Sequence, residues 1–226
     1  MKRSEINQLI RESEAFFSQR QFLLPPWAHW SLEQWRNRAA GACEIFDHMM
    51  GWDITDFGSG DFAKEGLILF TIRNGSLKKP GKPYAEKIMI VGEKQITPFH
   101  FHWQKTEDII NRGGGNLVIQ LYGSDEQGDF SKQPTAIMID GIERVVPPAG
   151  FVTLTPGESI CLKTGVYHCF WGEAGKGPIL VGEVSVVSND LNDNRFHKQL
   201  LRFPEIEEDV PPYRLLTSDY EKFLLR

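Results

Sequence analysis

A chain of 226 residues, 41% of them hydrophobic, can bury one good core and sits at the upper end of a single β domain, so one domain with a helical extension is expected over residues 1–226. Its formal net charge of −5 has mixed signs and no basic patch, which argues against nucleic acid or an anionic membrane surface as partner. The longest apolar runs, 67–72 and 179–187, are too short or too interrupted to span a bilayer, and Cys43, Cys161 and Cys169 form no CxxC pair, so a reducing, cytoplasmic setting is expected.

From Ser4 to about Gln19, Ile6, Leu9, Ile10, Phe16 and Phe17 recur at helical spacing on one side, which predicts an amphipathic helix. Pro25 and Pro26 end it, and residues 27–30 read as a connector. Ser31 with Gln34 forms a capping box, and Trp30 can pack on Trp35 as a hydrophobic staple. A second helix is expected from there to about Met50, with Gly51 as its stop. The aromatic content of residues 1–55 predicts that these helices pack on a sheet or on a second subunit; His29 and His48 read as structural or surface groups.

After Gly58-Ser59-Gly60 the pattern changes to short strands at 67–73, 86–91, 98–103, 117–122, 135–139, 150–154, 159–162, 168–171 and 179–187, most of them separated by Gly, Pro, Asn or Asp. Many short strands without helical crossovers indicate an all-β core, an antiparallel sandwich or barrel over 62–200. The tail, 201–226, is charged, contains Pro204, Pro211 and Pro212, and reads as a wrap around the barrel with a short helix near 219–224.

The chemistry concentrates in Thr97 to Gly115, TPFHFHWQKTEDIINRGGG. On a strand His100 and His102 leave one face while Phe99, Phe101 and Trp103 leave the other. Glu107 follows in the turn after, so two imidazoles and a carboxylate make a nitrogen/oxygen set for a divalent cation. His168, three residues beyond the turn glycine Gly165, supplies a fourth ligand.

Gly92, His100, His102, Glu107 and Gly114, followed by Gly165 and His168, resemble the two motifs of the cupin superfamily, although the spacer after Gly92 is longer than usual and Lys163 and Gly172 replace the usual proline and asparagine. Within that superfamily nearly the whole chain resembles the D-lyxose isomerase family, through MKRSEINQLI, HFHWQKTEDIINRGGGNLVIQLY, TPGESICLKTGVYHCFWGE and VGEVSVVSNDLNDNRF. The resemblance implies a cupin-type antiparallel jelly-roll barrel with an N-terminal helical extension, a homodimer, and a metal-dependent isomerase acting on D-lyxose and D-xylulose, and on D-mannose and D-fructose.

A His₃Glu set leaves two positions of an octahedral ion for adjacent oxygens of an open-chain sugar, and among Mn²⁺, Zn²⁺, Co²⁺ and Fe²⁺ an oxygen-rich substrate favours Mn²⁺. Moving a proton between carbon 1 and carbon 2 through a cis-enediol also needs a shuttle. Glu183 shares a strand face with Ile179, Val181, Ser185 and Val187, where a carboxylate without a partner would have a raised pKa suited to a general base. Lys105, two residues before Glu107, can protonate or stabilise the developing oxyanion. The isomerase resemblance implies these same two residues as acid/base groups. Asp190, in the SNDLNDN turn, is a candidate for binding sugar hydroxyls, and Trp103, Phe170 and Trp171 for a stacking wall. The same ligands on the same fold would also support a non-haem iron dioxygenase, a metal-dependent decarboxylase or a non-catalytic sugar-binding protein.

Overall fold

The computed structural model describes residues 1–76, 81–203 and 205–224; Pro204 lies outside them. Helix α1 (Arg3–Gln19) buries Ile6, Ile10 and Phe17 along one side. After a 3₁₀ turn at Pro26–His29, helix α2 (Leu32–Arg38) opens on the Ser31 cap, whose hydroxyl accepts from the Gln34 amide at 3.2 Å while the Ser31 amide donates to the Gln34 side chain at 2.9 Å. The Trp30 and Trp35 rings meet at 4.9 Å.

The continuous helix expected to Met50 does not form. The chain leaves α2, passes through a 3₁₀ turn at Ala39–Gly41 and resumes as α3 (Cys43–Asp47). Trp35 and Phe46 explain the break: their rings lie 5.8 Å apart and both pack on Tyr220, whereas an unbroken helix would hold them about 16 Å apart along its axis. Gly51, expected as a helix stop, instead opens a strand at φ +129°, where a Cβ would fall 2.4 Å from the Tyr220 hydroxyl.

The remaining described elements are mostly strands: β1 (Gly51–Thr55), β2 (Leu67–Arg73), β3 (Tyr84–Val91), β4 (Thr97–His102), β5 (Glu107–Gly114), β6 (Leu117–Gly123) and β7 (Thr135–Ile139). They continue as β8 (Ile142–Val146), β9 (Gly150–Leu154), β10 (Ser159–Leu162), β11 (Val166–Gly172), β12 (Ile179–Val186) and β13 (Asn194–Phe196), before a 3₁₀ turn at Thr217–Asp219 and helix α4 (Tyr220–Phe223). Two antiparallel sheets result, an eight-stranded one ordered β1-β2-β3-β12-β5-β10-β7-β8 and a five-stranded one ordered β13-β4-β11-β6-β9. The fold is the cupin-type antiparallel barrel with N-terminal helices.

Inward-facing Leu, Ile and Val of both sheets form the barrel core, with Leu117, Ile119, Leu154, Ile160, Ile179 and Val181 fully buried. A second cluster joins Ile6, Ile10 and Phe17 of α1 to Trp52, Ile68 and Phe70 on the outer face of the larger sheet. The C-terminal segment is fastened to α1 by Arg3, which is fully buried and donates to both Glu208 and Asp219 at 2.7–2.9 Å.

Candidate active site

The site lies between the two sheets, and each sheet contributes one kind of group. The five-stranded sheet supplies imidazoles: His100 and His102 from β4 and His168 from β11, with His168 directly opposite His100. An extra residue in β4 opposite β11, at the Thr97–His100 step that contains Pro98, bulges the strand so that Thr97 and His100 both face the cavity. Gly165, at φ +75°, turns the chain into β11 and donates its amide to the His102 carbonyl at 3.1 Å. The eight-stranded sheet supplies charge: Glu107 opens β5, Glu183 lies on β12 and Lys87 sits opposite it on β3. Lys105 comes from the connection between β4 and β5.

The ligating atoms of His100, His102 and His168 all lie within 4.8 Å of one another. Nδ1 of His100 faces the Pro98 carbonyl at 2.8 Å and Nδ1 of His168 faces the Val166 carbonyl at 3.0 Å. A carbonyl only accepts, so each Nδ1 carries the proton and each Nε2 presents a lone pair. Glu107 Oε1 stands 3.1 Å from Nε2 of His168 and 3.3 Å from Nε2 of His102. Both ring nitrogens of His102 and this carboxylate oxygen are buried without a hydrogen-bond partner. Acceptors facing one another at roughly 3 Å are what neighbouring ligands of one hard or borderline ion look like, so the residues fit a divalent metal.

Electrostatics agree with the donor set. Burial, followed by the His168 and His102 rings, pushes His100 well below its usual pKa, and burial followed by the Lys105 ammonium lowers His102. Both are therefore neutral at pH 7. Burial opposes ionisation of Glu107, but the Lys105 ammonium outweighs it and holds the carboxyl well below the usual range. Burial likewise opposes the Lys105 ammonium, and Glu107 and Glu183 outweigh it, raising its pKa.

From Glu107 a string of alternating charge runs through the barrel. Lys105 Nζ lies 2.6 Å from Glu107 Oε2 and 2.8 Å from Glu183 Oε1. Lys87 Nζ lies 3.6 Å from Glu183 and 2.9 Å from Asp190, and Arg202 lies 3.7 Å from Asp190 and 2.5 Å from Asp53. Glu183 is thus not a solitary carboxylate among aliphatic side chains, because two buried ammonium groups flank it. Pairing of this kind is what makes buried charge tolerable.

His100, His102, Lys105, Glu107, His168 and Glu183 line one cavity of about 40 Å³, and Asp190 and Phe170 line it too. Trp103 does not. It is 56% exposed and packs on Phe101 at 4.6 Å, on the outer face of the smaller sheet. Trp171 also faces outward, while His197 stacks on Phe130 at 3.7 Å and His29 pairs with Glu14. Two charged wall residues were missed in sequence. Lys87 had a visible sign, a lysine alternating inward with Ala85, Met89 and Val91 on β3; Arg202, in an irregular tail, had none.

A model of the family described as D-lyxose isomerase matches residues 1–220. The chain is 48% identical, over 99% of its length and 100% of theirs, to the D-lyxose/D-mannose isomerases of Serratia proteamaculans and Escherichia coli O157:H7. The chain belongs to the D-lyxose isomerase family. It is an aldose–ketose sugar isomerase, which removes the dioxygenase, decarboxylase and non-catalytic readings. Among solved structures, the L-ribose isomerase of Acinetobacter sp. DL28 superposes on this isomerase with a TM-score of 0.62 at 17% identity, over 92% of this chain and 98% of that one. That of Cellulomonas parahominis gives 0.61 at 15%, over 91% and 98%. These share its fold.

Proposed function

We propose that this isomerase interconverts D-lyxose and D-xylulose, and also D-mannose and D-fructose, with a divalent ion, Mn²⁺ first, held by His100, His102, Glu107 and His168. The observation that carries the reading is Lys105, whose ammonium bridges the ligand carboxylate Glu107 at 2.6 Å and the non-ligand carboxylate Glu183 at 2.8 Å. This geometry supports the reading of Lys105 and Glu183 as an acid/base pair beside the proposed ligands. The names of the two 48%-identical relatives support the choice of sugars.

When bound, the ion supplies Lewis-acid polarisation of the sugar carbonyl. Glu183 takes the proton from carbon 2 and returns it to carbon 1, while Lys105 donates to the oxygen that becomes negative in the cis-enediol. A second proton moves from O2 to O1, so the reaction is balanced without a redox partner. Asp190, Lys87 and Arg202 bind the remaining hydroxyls, and Phe170 offers an apolar face to the sugar C–H groups.

Three free thiols, Cys43, Cys161 and Cys169, support a reducing, cytoplasmic setting, and among the described residues no helix is long and apolar enough to cross a membrane. A homodimer is part of this reading, and sedimentation at micromolar concentration tests it. The catalytic test is an anaerobic assay of chelator-stripped protein with D-lyxose and D-mannose, with and without Mn²⁺, following ketose and solvent deuterium at carbon 1 or 2. Ketose formed only with metal and carrying deuterium is the expected result. A protein that holds one metal per chain and makes no ketose would refute the reading.

A further inference from the structure

Asp193 takes part in none of the ion pairs above, yet it is 7% exposed and reaches the turn that carries Lys105. Its Oδ1 accepts the Gln104 amide at 2.8 Å, its Oδ2 accepts the Lys105 amide at 3.0 Å, and its own carbonyl accepts the Trp103 amide at 3.1 Å. Three successive N–H groups leaving β4 are therefore satisfied by a single residue. Without it the buried Lys105 amide would lose its acceptor, and the turn would be free to move relative to β12.

The other end of the same loop is fixed as well. Asn74 accepts the Ser188 amide at 3.0 Å and donates to the Ser188 carbonyl at 2.9 Å, and the Ser188 hydroxyl donates to Asp190 at 3.0 Å. One loop, residues 188–193, thus holds Asp190 against Lys87 on one side of Glu183 and the backbone of Lys105 on the other.

We infer that Asp193 is a positioning residue, a backbone clamp that sets the Lys105 ammonium against Glu183 for proton transfer. The inference rests on the proposed roles of Lys105 and Glu183. It touches neither substrate nor metal, so its loss lowers turnover while leaving metal and sugar affinity in place.

The test compares wild type, Asp193→Ala and Asp193→Asn, which keeps the volume and one accepting oxygen. Mn²⁺ bound per chain, kcat and KM for D-lyxose, and hydrogen exchange at the Gln104 and Lys105 amides are measured. Asp193→Ala is expected to lower kcat about 10–100-fold with full Mn²⁺ occupancy, as removal of outer-shell partners typically does. KM should stay within about threefold, because ground-state binding is untouched. Both amides exchange faster, and Asp193→Asn recovers part of kcat. If the alanine variant does not fold, Asp193→Asn carries the same test against wild type. Unchanged kcat in a folded variant, unchanged amide exchange, or lost Mn²⁺ binding would each overturn the assignment. Wild-type protein that makes no ketose would instead refute the proposed function, while the exchange and Mn²⁺ measurements would still judge the clamp.

Discussion

The two ends of the barrel interior are built from the same strands and carry opposite chemistry. Along β12 the inward positions pass from Ile179 and Val181 to Glu183 and Ser185. Along β3 they pass from Val91 and Met89 to Lys87, along β5 from Ile109 to Glu107, and along β11 from Phe170 to His168. One end is an aliphatic plug held by the hydrophobic effect. The other buries imidazoles, carboxylates and ammonium groups, each costly to desolvate and each offset by a partner of opposite sign or by the proposed ligand role. Stability and chemistry are therefore separated by about two residues on each of these four strands. A strand period of two lets one backbone serve both.

Breaking the polar end should cost function without comparable loss of fold. His102→Ala removes a proposed ligand whose ring nitrogens have no hydrogen-bond partner. Metal content and activity are expected to fall together, beyond the ~10–100-fold that outer-shell partners command; elemental analysis beside the ketose assay checks this. Glu183→Gln keeps the shape of the side chain and all four proposed ligands, so metal is expected to stay bound while kcat falls on the order of 10²–10⁴-fold, the usual worth of a general base. A fully active Glu183→Gln enzyme would remove the base assignment.

Breaking the apolar end should do the reverse. Leu154 is fully buried, and its truncation to Ala is expected to cost about 2–5 kcal/mol in denaturant unfolding, with kcat per folded molecule unchanged. A smaller effect is expected outside the barrel, where Arg3 and then Lys222 hold the Glu208 carboxyl down at about 2 against a usual 4.5. A carboxyl whose pKa is lowered by folding contributes stability above its unfolded value and loses it as pH falls through the folded one. Stability should therefore drop between pH 4.5 and about 2. Glu208→Gln should flatten that slope by on the order of 1 kcal/mol, the scale of a partly exposed pair.

Much of this plan was legible in the sequence because alternation and motif spacing act locally. The strands at 67–73, 135–139, 150–154 and 159–162 appear at the expected residues, and the Ser31 cap forms as its spacing dictates. The structure also brings the two histidines of β4, Glu107, His168, Lys105 and Glu183 around one cavity. What escaped depends on distant partners. Strand β5 was hidden because its inward set is Glu107, Ile109 and Asn111; the Asn111 amide donates to carbonyls of Gly115 and Leu154, which no local pattern reveals. Edge strand β8 has four of its five residues exposed, so it shows no buried face to read. The break after α2 answers to Tyr220, and the string from Lys87 through Asp190 to Arg202 joins residues up to 115 positions apart.

Trp103 is the sharpest control for the inside–outside division, because its neighbours in sequence are site residues. His102 precedes it and Lys105 follows two positions later, yet its side chain points to the outer face and its indole packs edge-on against Phe101. The only part of Trp103 that reaches the site's scaffold is its amide, which donates to the Asp193 carbonyl and survives any substitution except proline. Trp103→Ala should therefore leave kcat and KM for D-lyxose within about twofold, and the lost aromatic pair should cost about 0.5–1.5 kcal/mol. A large rise in KM with unchanged Mn²⁺ binding would show that sugar reaches the outer face, and the division drawn along these strands would fail at its boundary residue.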